Sequence, residues 1–299
     1  MVTGGAGFIG SNLVDRLSKD NKVYVIDNMH TGSEENLADA MKTGNVRLIK
    51  DDAKNIGKQG IDADMVFHLG IYSSSPMYKD NPHLVAEVVD GMISVLEYAK
   101  KGKLPLVFAS TSSIYNGIKP PHKEDIIPGV TDYYTEARIS AERLAELYAK
   151  LYDVNVSAMR FFSVYGRHEK AKGKYANLVS QFLWSMKKGE QPVIYGNGKQ
   201  RRDFIFVDDV VDAMISAATK ASGFNVFNVG TGKNYDLNEL VEKLNAELGT
   251  DIEPKYVKVP MNNYVMETLA HTGKAKKMLG FEAKVSLDEG IKELNKYYS

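Results

Sequence analysis

The segment TGGAGFIG, residues 3–10, constrains the fold of this chain more than any other feature. Its glycines Gly4, Gly7 and Gly10 follow a short strand that begins at Val2 and precede a helical segment. A turn this tight needs glycine, because a side chain would hold the backbone away from a bound pyrophosphate. The helix that follows directs unpaired backbone N–H groups and a positive dipole end at such a phosphate. The spacing therefore predicts a strand, turn and helix that bind a dinucleotide.

Asp27 strengthens this interpretation. It ends the next predicted strand, Lys22–Asp27, 17 residues after Gly10. A carboxylate at this position accepts hydrogen bonds from the adenosine ribose hydroxyls and repels a 2′-phosphate. We therefore predict NAD rather than NADP as the cofactor. The alternative is an ordinary glycine turn in which Asp27 only caps the end of the strand.

Strand-like and helix-like segments alternate along the rest of the chain. The alternation is typical of parallel strands joined by right-handed helical crossovers, and the apolar strands fit a sheet covered on both faces. We predict an α/β fold, a Rossmann-type doubly wound parallel sheet with a smaller C-terminal substrate-binding region. The later predicted strands are Val46–Lys50, Asp64–Leu69, Leu104–Ser110, Val154–Phe162 and Phe224–Val229; the predicted helices are Asn12–Leu17, Leu84–Lys101, Tyr134–Leu151 and Leu237–Leu248; and Phe204–Ala218 is predicted as a strand followed by a helix.

The character of the sequence changes after Gly166, where glycine, lysine and short motifs dominate. We expect a large dinucleotide-binding domain and a smaller domain that closes over a cleft between them. The basic run Arg167–Lys174 is interpreted as a solvated loop, with phosphate binding as the alternative. The predicted NAD-binding domain comprises residues 1–166 with 203–229, and the smaller domain comprises residues 167–202 with 230–299.

Composition excludes several classes of function. The chain has no cysteine, which rules out thiolate catalysis and thiolate-bound zinc, and its six histidines show no metal-ligand spacing. Lysine plus arginine and aspartate plus glutamate both number 38, so a zero formal charge argues against nucleic-acid binding by bulk phosphate neutralisation. No apolar run has the length of a membrane span, and the first residues lack the basic, apolar and small-residue pattern of a leader. We expect a cytoplasmic protein without a bound metal.

Two segments carry groups suited to chemistry. Hydroxyl side chains at 110–113 follow a predicted strand, at the sheet edge where ligands bind in open parallel sheets. Tyr134 and Arg138 are four residues apart on a predicted helix and share a face. A fixed cation within about 4–6 Å lowers the pKa of a phenol by roughly 1–3 units, which suits proton exchange with a substrate hydroxyl. The alternative for residues 110–113 is a hydroxyl-rich turn without a chemical role. The alternative for Tyr134 and Arg138 is a helix face that only packs and is solvated.

Several motifs in a fixed order reveal a resemblance that spans essentially the whole chain. The chain resembles the extended short-chain dehydrogenase/reductase family, and more narrowly its nucleotide-sugar epimerases. The motifs that carry this resemblance are TGGAGFIG, the strand-end Asp27, ASTSSIYNG, Tyr134-x-x-x-Arg138, RFFSVYG and PVIYGNGKQRRDFIFVDD.

The resemblance implies a mechanism with named residues. Thr111, four residues before Tyr115, would bond the reacting sugar hydroxyl, and Tyr134 would be the catalytic base. Arg138 stands where the family has a lysine that bonds the nicotinamide ribose. The base removes a hydroxyl proton while hydride passes to NAD, the keto-sugar rotates, and hydride returns to its opposite face.

The resemblance also implies two sets of binding residues, around NAD and around a nucleotide sugar. Arg202 would bind the diphosphate, since an arginine fork suits phosphate oxygens. The implied cofactor-binding residues are Gly4, Gly7, Phe8, Ile9, Gly10, Asp27, Asn28, Asp52, Ala53, Leu69, Gly70, Ser110, Tyr134 and Arg138. The implied substrate-binding residues are Thr111, Tyr134, Phe162, Ser163, Val193, Tyr195 and Arg202.

The residues before the Tyr115 motif favour one reaction over another. Related dehydratases and decarboxylases carry an acidic residue two or three places before that tyrosine, where this chain has Ser112 and Ser113. We therefore expect a UDP-hexose 4-epimerase. The alternatives are a dehydratase or oxidoreductase of the same family, and a catalytically impaired NAD- or nucleotide-sugar-binding protein marked by Arg138.

Other departures lie on the substrate side. Ser163 replaces an asparagine that contacts the diphosphate, Asp90 aligns with a family asparagine, and His271 replaces a common aspartate. They suggest a substrate other than UDP-glucose, or a changed pocket. The resemblance further implies a homodimer that packs the Leu84–Lys101 and Tyr134–Leu151 helices into a four-helix interface.

Overall fold

The fold was analysed in a computed structural model that describes residues 1–129, 131–259 and 265–299. Strands and helices alternate along the chain, with short 3-10 turns between them. The strands are β1 Val2–Thr3, β2 Val23–Asp27, β3 Val46–Lys50, β4 Val66–His68, β5 Leu106–Thr111, β6 Val156–Phe161, β7 Ser163–Tyr165, β8 Val193–Tyr195, β9 Arg201–Arg202, β10 Phe204–Phe206, β11 Phe224–Val229, β12 Tyr235–Asp236 and β13 Lys255–Val257. The helices are α1 Phe8–Leu17, α2 Ala38–Met41, α3 Ser75–Asp80, α4 Leu84–Gly102, α5 Tyr133–Tyr152, α6 Leu178–Met186, α7 Val207–Lys220, α8 Leu237–Leu248, α9 Gly273–Leu279 and α10 Leu287–Tyr297.

Seven strands form one parallel sheet in the order β11-β6-β5-β4-β1-β2-β3. The chain builds outward from β1 to β3 and then returns to build the other half from β4. The order therefore reverses between β1 and β4, and in such sheets a crevice opens at the carboxyl ends of the strands at that point. The predicted Rossmann-type doubly wound sheet is confirmed.

Helices cover both faces of this sheet. One apolar core packs α1, α7 and α9 against strand residues such as Phe67 and Val107. The other packs α4 and α5 against the alternate residues Val66 and Phe108. Because neighbouring residues of a strand point to opposite faces, a sheet covered on both sides needs apolar residues at consecutive positions. The continuous apolar runs of the sequence meet this requirement.

A third apolar core lies in the C-terminal part of the chain. It packs α6, α8 and α10 against Phe204, Phe206 and Tyr165. Helix α9 belongs to the sheet layers, since it contacts α7 and β11. The division into residues 1–166 with 203–229 and residues 167–202 with 230–299 stays a prediction.

The predicted elements recur with small shifts in their bounds. Helix α1 begins at Phe8 rather than Asn12, because the glycines hide its apolar periodicity. The strand predicted at Asp64–Leu69 contracts to β4. The sequence did not reveal α3, α6, α9, α10 or the three two-stranded pairs, β7 with β10, β8 with β13 and β9 with β12. Among the described residues, no helix combines the length and apolarity that crossing a membrane requires.

Replacing a ring at the centre of the sheet tests this packing. Phe108 on β5 is fully buried, so we expect Phe108→Ala to lower the free energy of unfolding by about 3–5 kcal/mol. Denaturant titration measures the change. The control is Ile127→Ala, because the Ile127 side chain is 89% exposed and its removal should change stability by less than about 0.5 kcal/mol. Equal effects of the two substitutions would contradict the packing.

Candidate functional site

Two adjoining compartments form the crevice at the carboxyl ends of the strands. The acidic compartment carries the carboxylates of Asp27, Asp52, Glu87 and Asp90 on its walls. The tyrosine compartment is lined by groups that include Thr111, Tyr134, Arg138, Phe162 and Lys172. Gly4, Gly7 and Leu69 line both compartments, so the glycine-rich turn lies where the two meet.

The glycine-rich turn leaves no room for side chains. Gly4 has φ +68°, and a Cβ there would overlap the backbone of Leu69 and Gly70 on the neighbouring strand end. A Cβ on Gly10 would overlap the Gly4 carbonyl oxygen. Gly7 begins α1 without a side-chain cap. The start of the helix therefore faces the crevice with its N–H groups, an arrangement suited to a phosphate.

Asp27 fixes this turn and also lines the acidic compartment. One carboxylate oxygen accepts a hydrogen bond from the Ala6 N–H at 2.9 Å, and the other accepts from the Met29 N–H at 2.8 Å. Burial raises the pKa of the Asp27 carboxyl, while these backbone hydrogen bonds oppose the shift. The strand-end cap and the predicted ribose ligand are thus compatible, because each oxygen retains a second lone pair.

Four more of the predicted cofactor-binding residues line the acidic compartment, namely Asn28, Asp52, Ala53 and Gly70. The sequence did not identify Tyr72, His30 or Glu87. Tyr72 donates a hydrogen bond to Glu87 at 2.8 Å, and its ring lies edge-on to the His30 ring at a centroid distance of 5.2 Å. No motif of the sequence predicted this wall, because Tyr72 approaches from a loop outside the glycine motif.

His68, at the end of β4, is a buried neutral imidazole at the edge of the acidic compartment. The Thr3 hydroxyl accepts a hydrogen bond from the Gly70 N–H at 3.3 Å and lies 2.7 Å from His68 Nδ1. The hydroxyl and Nδ1 share a hydrogen bond whose donor depends on the tautomer of the ring. Burial, aided by the Arg138 charge, lowers the pKa of His68 to about 3. His68 is thus structural rather than a base at neutral pH.

The buried His68 makes stability depend on pH in a definite direction. His68 becomes protonated below about pH 6.5 in the unfolded chain, but only below about pH 3 in the folded chain. This contribution to stability is present above pH 6.5 and is lost as the pH falls, at up to about 1.4 kcal/mol per pH unit. We expect the stability difference between wild type and His68→Asn to shrink from pH 6.5 to pH 4 in denaturant titrations. Parallel pH profiles would contradict this assignment.

The tyrosine compartment brings together the residues predicted to be catalytic. Thr111 ends β5, and its hydroxyl oxygen accepts a hydrogen bond from the Ser113 N–H at 3.1 Å. Tyr134 lies in the first turn of α5, which begins with a capping box between Asp132 and Thr135. The box fixes where α5 starts, and Tyr134 and Thr111 both line the tyrosine compartment.

Arg138 lies one turn further along α5 and is almost fully buried. Its guanidinium carbon is 5.1 Å from the centroid of the Tyr134 ring, so the predicted shared helix face is confirmed. It donates hydrogen bonds to the Tyr72 carbonyl at 2.7 Å and to the Ala109 carbonyl at 3.4 Å. Its Nε is a buried donor without a partner among the described residues. An orphaned donor in a ligand cleft fits a bound hydroxyl acceptor such as that of a ribose.

A buried polar network lies behind the catalytic strand end. Ser110 donates a hydrogen bond to Glu142 at 2.5 Å, and Glu142 pairs with Arg160 at 2.7 Å. Arg160 in turn donates to the Tyr115 hydroxyl, which donates to Asn228 at 2.8 Å. Burial raises the pKa of Tyr115 to about 12, so this phenol stays neutral. Ser110 can therefore only accept a hydrogen bond from a ligand, because its own proton is engaged.

The predicted substrate-binding residues divide into two groups. Phe162 and Ser163 line the tyrosine compartment. Val193 and Tyr195 lie on β8, which pairs with β13, and both side chains are more than two-fifths exposed. Arg202 donates to the Val265 carbonyl at 2.6 Å. None of these last three is among the described residues that line the compartment, so their roles stay predictions.

Three further wall residues come from the segment after Gly166, namely Lys172, Tyr175 and Asn177. The interpretation of Arg167–Lys174 as a solvated loop is wrong for Lys172, whose side chain is only 17% exposed. The sequence could not distinguish Lys172, which points inward, from the exposed lysines beside it, because all belong to the same lysine-rich run. No cluster of histidine, aspartate and glutamate suited to a metal occurs in the described parts of the chain.

The glycine geometry predicts the effect of one added methyl group. Gly10→Ala would push against the Gly4 carbonyl, open the turn and move the phosphate-binding N–H groups, so we expect the purified variant to lose bound dinucleotide. The ratio of absorbance at 260 nm to 280 nm and extraction of the nucleotide measure retention. Gly57→Ala is the control, because a Cβ at Gly57 meets no atom within 4 Å. Retention equal to wild type in Gly10→Ala would contradict the site.

Comparison with known proteins places this geometry in context. The family model described as the NAD dependent epimerase/dehydratase family matches residues 1–230. A UDP-glucose 4-epimerase of Mycolicibacterium smegmatis is 32% identical over 307 residues, covering 100% of this chain and 97% of that protein. A UDP-N-acetyl-alpha-D-glucosaminuronate decarboxylase of Bacillus cytotoxicus is 30% identical, covering 100% and 97% respectively.

Solved structures agree in fold. The structure of UDP-glucose 4-epimerase with UDP-glucose from Thermotoga maritima superposes with a TM-score of 0.92 at 33% identity and covers 99% of this chain and 97% of that one. The family match, the full-length relatives and the shared fold agree with the glycine-rich turn and the cleft described above. NAD is the cofactor of this family. The chain belongs to the NAD-dependent epimerase/dehydratase family.

Proposed function

We propose that this chain is a nucleotide-sugar 4-epimerase that acts on a UDP-hexose or a close relative through a transient 4-keto sugar. One observation carries the proposal: Thr111, Tyr134 and Arg138 line the same compartment as the glycine-rich turn. A hydroxyl, a phenol and a cation beside a dinucleotide site are the groups that oxidation of an alcohol requires.

The residues present fit NAD. The turn at Gly4 and Gly10 leaves space for a pyrophosphate, and Asp27 lines the compartment where we expect the ribose. The buried Nε of Arg138 has no hydrogen-bond acceptor among the described residues, so a cofactor hydroxyl could supply one. When bound, NAD supplies the acceptor and donor of the hydride. Carboxylates of the acidic compartment would repel a 2′-phosphate, which favours NAD over NADP.

Side chains of the protein would transfer the proton of the reacting sugar hydroxyl. Thr111 would hold the reacting sugar hydroxyl, and the Tyr134 hydroxyl would accept its proton and later return it. Arg138 lies over the ring face and is tied to the Tyr72 and Ala109 carbonyls, so it fixes the orientation of the phenol. This explains how an arginine serves at a position where the family has lysine: its guanidinium bonds two carbonyls and still leaves the Nε donor for the cofactor.

The walls of the tyrosine compartment favour epimerisation over elimination. Among the described residues that line it there is no aspartate or glutamate, and Ser112 and Ser113 occupy the positions where an extra acid would stand. Glu142, the nearest carboxylate in the network behind the strand, is engaged by Arg160 and Ser110. A dehydratase or decarboxylase is therefore the second candidate, supported by the similarity to decarboxylases.

We also propose a homodimer formed through α4 and α5, which pack against each other. Their outer faces expose Ile93, Leu147, Leu151 and Tyr152. Apolar residues clustered on two adjacent helices favour burial against a second copy. The cytoplasmic location stays a prediction.

Replacing the base tests the proposed function. We expect Tyr134→Phe to lower the rate of sugar interconversion by roughly a hundredfold or more, because it removes the hydroxyl proposed to take the proton. Tyr134→Phe should retain NAD. A panel of UDP-hexoses and UDP-uronic acids, separated by chromatography, measures the conversion, and absorbance at 340 nm should show no net NADH.

Tyr133→Phe is the matched control, since Tyr133 begins the same helix but is 53% exposed and should leave the rate unchanged. Wild-type protein that holds NAD but converts no member of the panel would contradict the epimerase proposal. Loss of water or of carbon dioxide from the sugar would replace it with the second candidate, and net NADH release would indicate an oxidoreductase instead.

A further inference from the structure

Lys172 lies on the wall of the tyrosine compartment that faces the start of α1. It belongs to the 3-10 turn Lys170–Tyr175, and its ammonium is 5.5 Å from the centroid of the Phe8 ring. Phe8 is the first residue of α1, directly after the cap residue Gly7. The ammonium therefore lies beside the helix end whose N–H groups are expected to hold a phosphate.

The surroundings of Lys172 hold this ammonium in place through an ion pair with Glu169. Its nearest carboxylate, that of Glu169, is 3.7 Å away and fully buried. That carboxylate already accepts hydrogen bonds from the Asn177 N–H and the Ser180 hydroxyl, both at 2.6 Å. The Lys172 ammonium has three donors, so it can contact Glu169 and the Phe8 ring and still donate into the compartment.

The charges along the crevice indicate which ligand group the Lys172 ammonium would contact. Arg138 and Lys172 are the cations among the described residues that line the tyrosine compartment, and the guanidinium of Arg138 is committed to two carbonyls and a ring. A pyrophosphate carries two negative charges, while the glycine-rich turn offers only N–H groups and the adjoining compartment is acidic. A second anion contact is therefore electrostatically favoured on the side of Lys172.

We propose that Lys172 binds the pyrophosphate of NAD, at the phosphate nearer the nicotinamide, from the wall opposite the glycine-rich turn. The assignment to that phosphate follows from position, because Lys172 lines the compartment of Thr111 and Tyr134 rather than the acidic one. The proposal rests on the NAD site and does not depend on which sugar is converted. It makes the segment 170–175 part of the cofactor site rather than a solvated loop.

Binding of nucleotide fragments to cofactor-depleted full-length protein tests this role. Calorimetry compares NAD, ADP-ribose and AMP on wild type, Lys172→Met and Lys174→Met. Methionine keeps the apolar stem and removes the charge. Loss of a charge-assisted hydrogen bond should weaken NAD and ADP-ribose by roughly ten- to a hundredfold in Lys172→Met. AMP, which lacks the second phosphate, should bind as it does to wild type.

Lys174→Met is the matched control, since Lys174 is exposed on the same turn and removes the same charge from the protein. It should leave all three affinities unchanged. Unchanged NAD and ADP-ribose affinities in Lys172→Met would overturn the proposal. A loss shared equally by AMP would also overturn it, because it would report a rearranged site rather than a missing contact. Because no sugar is present, failure here is separate from failure of the epimerase proposal.

Discussion

The contact between the glycine-rich turn and the backbone at Gly70 is the constraint on which the rest of the site depends. It brings the ends of β1 and β4 together where the strand order reverses, so the crevice opens there. Gly10 lies equally close to Gly4, which directs the start of α1 into the crevice. Asp27 then ties the turn to β2 through the Ala6 N–H. Backbone packing and the Asp27 carboxylate together thus shape the crevice between the two sheet halves, where we predict a phosphate.

A second constraint positions the chemistry relative to that site. The buried pair Glu142 and Arg160 joins α5 to β6, and Ser110 joins β5 to the same carboxylate. Thr111 follows Ser110, and Tyr134 is on the helix that carries Glu142, so one network sets the spacing between the two hydroxyls proposed to be catalytic. Burying an ion pair is costly unless its hydrogen bonds are complete. In this network the hydrogen bonds of the ion pair are distributed over five side chains. We therefore interpret the network as a rigid support for the site rather than as a source of net stability.

The sequence predicted what depends on local pattern and failed where distant segments meet. The seven sheet strands, the turn at Gly4 and the pair Tyr134 and Arg138 follow from spacing and apolar runs, because each signal lies within a few residues. Lys172 was missed, because its inward orientation is set by the buried Glu169 and by packing on Phe8 across the crevice. Tyr72 was missed for the same reason, since Arg138 holds its carbonyl from another element.

We propose that NAD, when bound, would take up the hydride from carbon 4 of the sugar and that Tyr134 would accept the proton. The most direct measurement uses a nucleotide sugar that the chain converts, labelled with deuterium at carbon 4 and incubated in ordinary water. Mass spectrometry of the product then reports where the label went. If hydride transfer to NAD is reversible, the epimerised sugar keeps its deuterium and no NADH accumulates. Loss of the label to solvent would contradict hydride transfer, because it would show that a proton rather than a hydride leaves carbon 4.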